Sequence, residues 1–338
     1  MRKFFCLVLV LALSAGLLLS AAAEQGNEGN PPSKAGTLFL TDEKITFSVV
    51  GEQASVYAGS VPAQEVQWQS DNPGVVAVEN GVLTARGVGT AKITGCWGDQ
   101  TVECQAGCLA RNREELLRLP QSQLQTPRRI PAKVEFDPTA FFGDAAIIGD
   151  SLSANLMVHE IKTNLLGHPL FMARKNIGAF NFVTHRINLY YQGVEYYVED
   201  AVAASGVKKV FFMLGMNDFG YQSPEEFLRN YEEIVDRVLE KSPDVEIYIQ
   251  TCPPWYQNGT PFSSFNEKID QCNRLVTEMA AEKGCHVIDL AAYIEDHINS
   301  MAKEYTMDYE AHLNYEGSVV WMEVLRAYAY GQLLEEAA

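Results

Sequence analysis

The sequence predicts an α/β sandwich with a largely parallel sheet over residues 141–338, preceded by a small all-β sandwich over 37–108. Three observations carry this. The chain's 338 residues exceed one ordinary domain, and 47% hydrophobic content is enough to build two cores. Short β-type stretches separated by turn residues fill the first half. Beyond Phe141, short apolar runs alternate with amphipathic helical stretches.

At the N-terminus, Arg2 and Lys3 precede an apolar run from Phe4 to Leu19, followed by Ala21-Ala-Ala. A basic start, an apolar middle and small residues before a polar stretch are the pattern of a secretory leader, with cleavage expected after Ala23. Residues 24–36, rich in Gly, Asn, Pro and Ser, read as a flexible tether. The expected location is therefore outside the cell or at its surface, with no stable membrane insertion. The formal charge of −17 disfavours nucleic acid and anionic lipid as partners.

In the β region, Lys44-Ile-Thr-Phe-Ser-Val-Val, Val66-Gln-Trp-Gln-Ser, Val75-Val-Ala-Val and Thr90-Ala-Lys-Ile-Thr-Gly alternate or are β-branched. Asp71-Asn-Pro-Gly, Glu79-Asn-Gly and Trp97-Gly-Asp supply turns between them. The stretch from Val66 through Asp71-Asn-Pro-Gly to Thr94 closely resembles the bacterial Ig-like repeat. That resemblance implies a spacer or weak adhesion module over 37–108, able to meet a cell-surface polymer, with Trp68 as a core residue. Residues 109–140 hold a short helical pattern and then a Pro- and Gln-rich run, which reads as a linker. Cys96, Cys104, Cys108, Cys252, Cys272 and Cys285 lack metal-ligand spacing and read as small hydrophobes or an optional bridge.

In the second half, Ala145-Ala-Ile-Ile-Gly, Lys209-Val-Phe-Phe-Met-Leu, Val245-Glu-Ile-Tyr-Ile-Gln and His286-Val-Ile-Asp-Leu are buried-strand runs. Residues 224–240 and 265–283 place apolar side chains at helical spacing, and a further helix is expected over 318–334. In open α/β sheets ligands bind beyond the carboxyl ends of the strands, so the chemistry is sought just after each apolar run.

Directly after the first run stands Gly149-Asp150-Ser151-Leu152, with the serine at a strand-to-helix turn. Read alone, Asp150 or Ser151 there is an ordinary helix cap. Asn176-Ile-Gly178-Ala falls in a loop, Gly215-Met-Asn217-Asp218 follows the 209–214 run, and Asp308-Tyr-Glu-Ala-His312 precedes the last helix. Serine, glycine, asparagine and histidine in this order are similar to the SGNH hydrolases, also called GDSL esterases, over about 141–335. The resemblance implies a three-layer α/β/α sandwich and a cofactor-free, metal-free serine esterase working through an acyl-serine. It implies Ser151 as nucleophile and His312 as base, with the Ser151 N–H, the Gly178 N–H and the Asn217 side chain as oxyanion donors.

The chemistry needs these types on its own account. A serine hydroxyl is a poor nucleophile until a base takes its proton, and a developing oxyanion needs preorganised donors. One departure stands out. The family usually has an Asp three residues before the His, where this chain has Tyr309. Asp308, four before, is the preferred orienting acid; Glu310, or a Ser–His dyad helped by a backbone carbonyl, remain alternatives. Asp218 reads as a structural acceptor. His159, His168, His185, His286 and His297 read as structural or surface residues, His297 within a helical stretch. Trp255 and Tyr256, in the loop after the 245–250 run, are candidates for substrate contact. The expected substrate is acylated carbohydrate or another small ester; lipid esters, or a non-catalytic binding protein with a degenerate site, are the alternatives.

Overall fold

A computed structural model describes residues 36–336. The expected leader (1–23), and the tether (24–36) apart from Gly36, lie outside the described residues.

The first part of the chain is all β. Its strands are β1 (Asp42–Val49), β2 (Gln53–Ser55), β3 (Gln67–Ser70), β4 (Val76–Glu79), β5 (Val82–Ala85), β6 (Gly89–Trp97) and β7 (Gln100–Ala110). One sheet runs β3-β6-β7-β1 and a second runs β2-β5-β4. Alternation puts Ala91 and Ile93 of β6 inward, where they join Phe47, Val56, Val76 and Leu83 in one core. Trp68 is half-buried: its indole N–H donates to the Ala63 carbonyl at 2.9 Å, and its ring meets Tyr57 edge-on at 5.5 Å. Strands β2, β5 and β7 extend the pattern foreseen from sequence. β2 is only three residues long, and β7 interleaves Gln, Glu and Cys, so neither reads as a run of strong strand formers.

Residues 109–140, expected as a linker, are instead ordered and packed. They contain α1 (Arg113–Leu116), α2 (Gln121–Leu124) and β8 (Arg129–Pro131), and β8 adds antiparallel to β1 as a fifth strand. Leu116 and Leu124 bury against Ala110 and Ile298. Arg129 clamps the buried Asp42 carboxylate with contacts of 2.6 and 2.7 Å, and Arg128 reaches Glu52 at 3.0 Å and Glu295 at 3.2 Å. A Pro- and Gln-rich composition signals loops, but it does not show that two arginines will find carboxylates in distant parts of the chain. His297 is also not helical. It lies in a turn built by the Asp296 carboxylate, which accepts from the Ile298 and Ser300 N–H groups at 2.9 and 3.0 Å. Its Nδ1 is 3.0 Å from Ser48 Oγ, and burial, reinforced by Arg128 and Lys44, pushes its pKa down to about 3.

The second part alternates: α3 (Thr139–Phe142), β9 (Ala145–Gly149), α4 (Ser151–Thr163), β10 (Leu170–Ala173), α5 (Ala179–Thr184), the small hairpin β11 (Leu189–Tyr191) and β12 (Val194–Tyr196), then α6 (Val198–Ser205). It continues through β13 (Lys209–Met213), α7 (Pro224–Lys241), β14 (Glu246–Gln250), α8 (Ser264–Lys283), β15 (His286–Ile288), α9 (Ala291–Ile294) and α10 (Tyr315–Glu336). The sheet order is β10-β9-β13-β14-β15, with every pairing parallel. Ile147, Ile148, Val210, Phe211 and Phe212 are fully buried, each contributing about 1.5–3 kcal/mol by leaving water. Helix α4 packs with α10, while α6, α7 and α8 pack in succession, giving helical layers on the two sheet faces.

Local signals end these helices where the site needs them to. Helix α7 starts at Ser223, whose hydroxyl caps Glu226 while the Glu226 carboxylate returns to the Ser223 N–H. Its inward stripe of Phe227, Tyr231, Ile234, Val235 and Val238 keeps a helical period. Among the described residues no helix is long and apolar enough to cross a membrane. The order of the sheet reverses between β9 and β13, the crevice where such sheets bind ligands.

Candidate active site

Ser151 stands at that crevice as the first residue of α4. Asp150 caps the helix, its Oδ1 accepting from the Leu152 N–H at 2.9 Å. The Ser151 N–H, in the first helical turn, has no acceptor among the described residues, and the helix dipole favours negative charge there.

His312 comes from the other end of the chain. Its Nε2 lies 3.0 Å from Ser151 Oγ, and its Nδ1 lies 2.6 Å from Asp308 Oδ2. The loop that carries both is a tight hairpin. Thr306 bridges Leu313, and the Met307 N–H donates to the His312 carbonyl at 2.9 Å. Asp308 Oδ1 accepts from the N–H groups of Glu310 and His312 at 2.9 and 3.3 Å. Tyr309 has φ of 59°, a left-handed conformation that a bulky residue rarely takes. That residue takes up the extra position, so a carboxylate four residues before the histidine still reaches its ring. Glu310 contributes only backbone bonds, and its side chain is exposed. Burial tends to raise the Asp308 pKa, but the bonds from His312 and the Glu310 N–H more than offset it, and the carboxyl lies below its ordinary range.

The donors expected at the oxyanion are placed around the crevice, though two are already engaged. The Gly178 N–H donates to Asn181 Oδ1 at 2.8 Å. Asn217 Nδ2 donates to Asp150 Oδ2 at 3.0 Å and to the Ile177 carbonyl at 2.8 Å. Part-buried N–H groups left without an acceptor would cost free energy, so each donor has taken a neighbour. Presenting either to a ligand requires exchanging one of these bonds.

Two carboxylates that read as local structure in the sequence bind these loops together. Asp218 accepts from the Ala179 N–H (2.9 Å), the Phe180 N–H (3.0 Å) and Gln222 Nε2 (3.0 Å), fastening the loop after β13 to the start of α5. Gly178 is obligatory beside it, because a Cβ there would overlap the Asp218 carboxylate. Gly215 (φ 135°) opens the same turn, and a Cβ there would overlap the Phe219 ring. Asp150 spans α4 and Asn217. Their signal in the sequence is an acid next to the motif serine and another next to the motif asparagine. Burial raises Asp218 to about 6, against its hydrogen bonds. Burial, with repulsion from Asp218, raises Asp150 to about 7 despite bonds from Leu152 and Asn217.

The Asp150 shift has a sign that can be measured. Its folded-state pKa exceeds the unfolded value of about 4, so the folded protein holds an extra proton from about pH 4 to about pH 7. This carboxyl therefore costs stability progressively as pH rises through that window. In Asp150→Asn the Tm difference, variant minus unsubstituted protein, rises between about pH 5 and about pH 8, on top of any constant loss. Thermal scans showing a difference that does not change with pH would rule this out.

Trp255 and Tyr256 separate in the structure. Trp255 is half-buried, its indole N–H directed at Met216 Sδ and its ring edge-on to Phe265 at 5.0 Å. It lines a cleft of about 410 Å³ together with Met216 and Asn217. Tyr256 is buried, its N–H donating to the Glu310 carbonyl at 2.8 Å and its ring 5.6 Å from Tyr309. It supports the histidine loop and does not face the crevice; a sequence shows two adjacent aromatics, not which of them turns inward. The tyrosine-rich hairpin is mixed, with Tyr190 and Tyr197 exposed and Tyr191 and Tyr196 packed on the core.

A serine hydroxyl on the carboxyl edge of a parallel sheet, with an imidazole and a carboxylate in line behind it, is the arrangement of a serine-nucleophile hydrolase. The chain belongs to the GDSL-like lipase/acylhydrolase family, whose model matches residues 147–320. It is thus an ester hydrolase. Among solved structures, a GDSL-like lipase from Bacteroides thetaiotaomicron is similar at 13% identity and a TM-score of 0.45, covering 57% of this chain and 88% of its own. A carbohydrate esterase of family 3 from Talaromyces cellulolyticus is similar at 13% identity and 0.41, covering 57% and 98%. No curated protein matches the chain.

Proposed function

We propose that this protein is an exported serine esterase that removes O-acetyl or other short acyl groups from extracellular carbohydrate. The observation that carries the catalytic reading is the line from Ser151 Oγ through His312 to Asp308, at 3.0 and 2.6 Å. Ser151 Oγ attacks the ester carbonyl and its proton passes to His312 Nε2, while Asp308 holds the ring and offsets the charge of the imidazolium. The tetrahedral oxyanion meets the Ser151 N–H, then Asn217 and Gly178 as their present bonds exchange, each donor supplying about 3 kcal/mol. His312 returns the proton to the departing alkoxide, leaving an acyl-serine. Water, deprotonated by His312, then releases the acid and restores the serine.

The apolar walls of the cleft at Met216, Trp255 and Phe265 suit the acyl group. Export rests on the basic and apolar pattern of residues 1–23, and a spacer or surface-binding role for residues 37–108 rests on their Ig-like sequence. The catalytic reading is tested by incubating the protein with an alkyl fluorophosphonate and mapping the adduct by mass spectrometry. Stoichiometric labelling at Ser151 with parallel loss of p-nitrophenyl acetate hydrolysis is expected. Full hydrolysis with Ser151 unlabelled would overturn it.

A further inference from the structure

A second, larger cleft of about 840 Å³ opens on the other side of Asn217, at the upper end of the size range for small-molecule sites. Its walls differ from those of the smaller cleft. Asn176, Asn181, Gln222 and Asn230 present carboxamides, and two rings, Phe180 (37% exposed) and Tyr221 (92% exposed), stand at its edge. Tyr221 and Asn217 line both clefts, so the ring is a ridge between them.

Two of these amides are locked to each other. Asn230 Nδ2 donates to Gln222 Oε1 at 2.8 Å, and Gln222 Nε2 donates to the Asp218 carboxylate at 3.0 Å. This chain fixes the Gln222 and Asn230 carboxamides and runs back to the carboxylate that clamps the Gly178 and Asn217 loops. Neutral donors and acceptors held in place, beside the exposed Tyr221 ring, match a ligand bearing many hydroxyls above C–H faces. Charge argues the same way. The Glu226 carboxylate is tied back to the Ser223 N–H at 2.9 Å, and among the described residues Arg229 is the one basic side chain in the wall.

We propose that this cleft is the subsite for the alcohol half of the substrate, and that it takes a neutral oligosaccharide with Tyr221 as stacking platform and the Gln222–Asn230 pair as hydroxyl-reading wall. The assignment rests on the esterase reading above and names its leaving group: the sugar lies over the amide wall while the acyl group enters the cleft of Trp255.

The test uses calorimetric titration of the purified protein with sugars carrying no ester, so its outcome does not depend on turnover. The probes are xylotetraose, cellotetraose and chitotetraose, with trigalacturonate as the anionic arm. At least one neutral tetrasaccharide binds, and Tyr221→Ala weakens it about tenfold with Tm unchanged, as an exposed ring requires. Asn230→Ala weakens the same sugar, and the ratio of kcat/KM on its acetylated form to that on p-nitrophenyl acetate falls in both variants. The proposal is overturned if no neutral sugar binds, if trigalacturonate alone binds, or if Tyr221→Ala binds as tightly as the unsubstituted protein. Failure of the esterase reading is a separate result: no hydrolysis of p-nitrophenyl acetate, whatever the sugars do.

Discussion

Ser151→Ala is expected to lower kcat for p-nitrophenyl acetate about 10⁴-fold or more, and His312→Ala to do nearly the same. The double variant loses no more than either single one. The hydroxyl and the imidazole lie 3.0 Å apart and act as one unit: without the base the hydroxyl keeps its proton, and without the hydroxyl the base has nothing to deprotonate. Losses that multiply in the double variant would mean that the two residues work independently. Equal, undiminished rates for Ser151→Ala and the unsubstituted protein would remove Ser151 as the nucleophile. Both side chains are partly accessible, so circular dichroism and Tm should change little in these variants.

Asp308→Asn should cost about 10³-fold in kcat with little change in KM. An amide at Oδ2 offers the wrong partner to Nδ1, selecting the tautomer that cannot take the serine proton, and it no longer offsets the imidazolium charge. Glu310→Gln keeps every backbone bond of the loop and lowers kcat far less. Steady-state kinetics on both variants decide between the two acids; the reverse ranking would assign the orienting role to Glu310. Because Asp308 titrates below the ordinary carboxylate range, its bond to His312 persists through mild acid and fails only as pH falls below that range.

How far the sequence reached differs from residue to residue. Ser151, Asn217 and His312 stand after an apolar run or before a predicted helix, where the ends of parallel strands gather, but the roles expected of them, and any role for Gly178 in its loop, came from the resemblance to SGNH hydrolases. Helix α7 was legible because its cap, its proline and its apolar stripe agree. Asp150 was visible only as a cap and Asp218 only as a structural acceptor, since their reach to Asn217 and to the turn at Ala179 crosses between loops far apart in the chain. The packed state of residues 109–140 was hidden for the same reason: Arg128 and Arg129 find their carboxylates at Glu295, Glu52 and Asp42.

By itself the sequence determined the alternation of strands and helices and the residue types that follow the strands, because these follow from local periodicity and chain connectivity, while the order of the sheet and its reversal beside β9 came with the tertiary structure. Tertiary structure alone decided which acid meets His312, which of two neighbouring aromatics faces the crevice, and which N–H groups are already spent on neighbours. Such choices turn on a single left-handed residue or on contacts of about 3 Å between distant segments, and neither leaves a period or a composition in the chain.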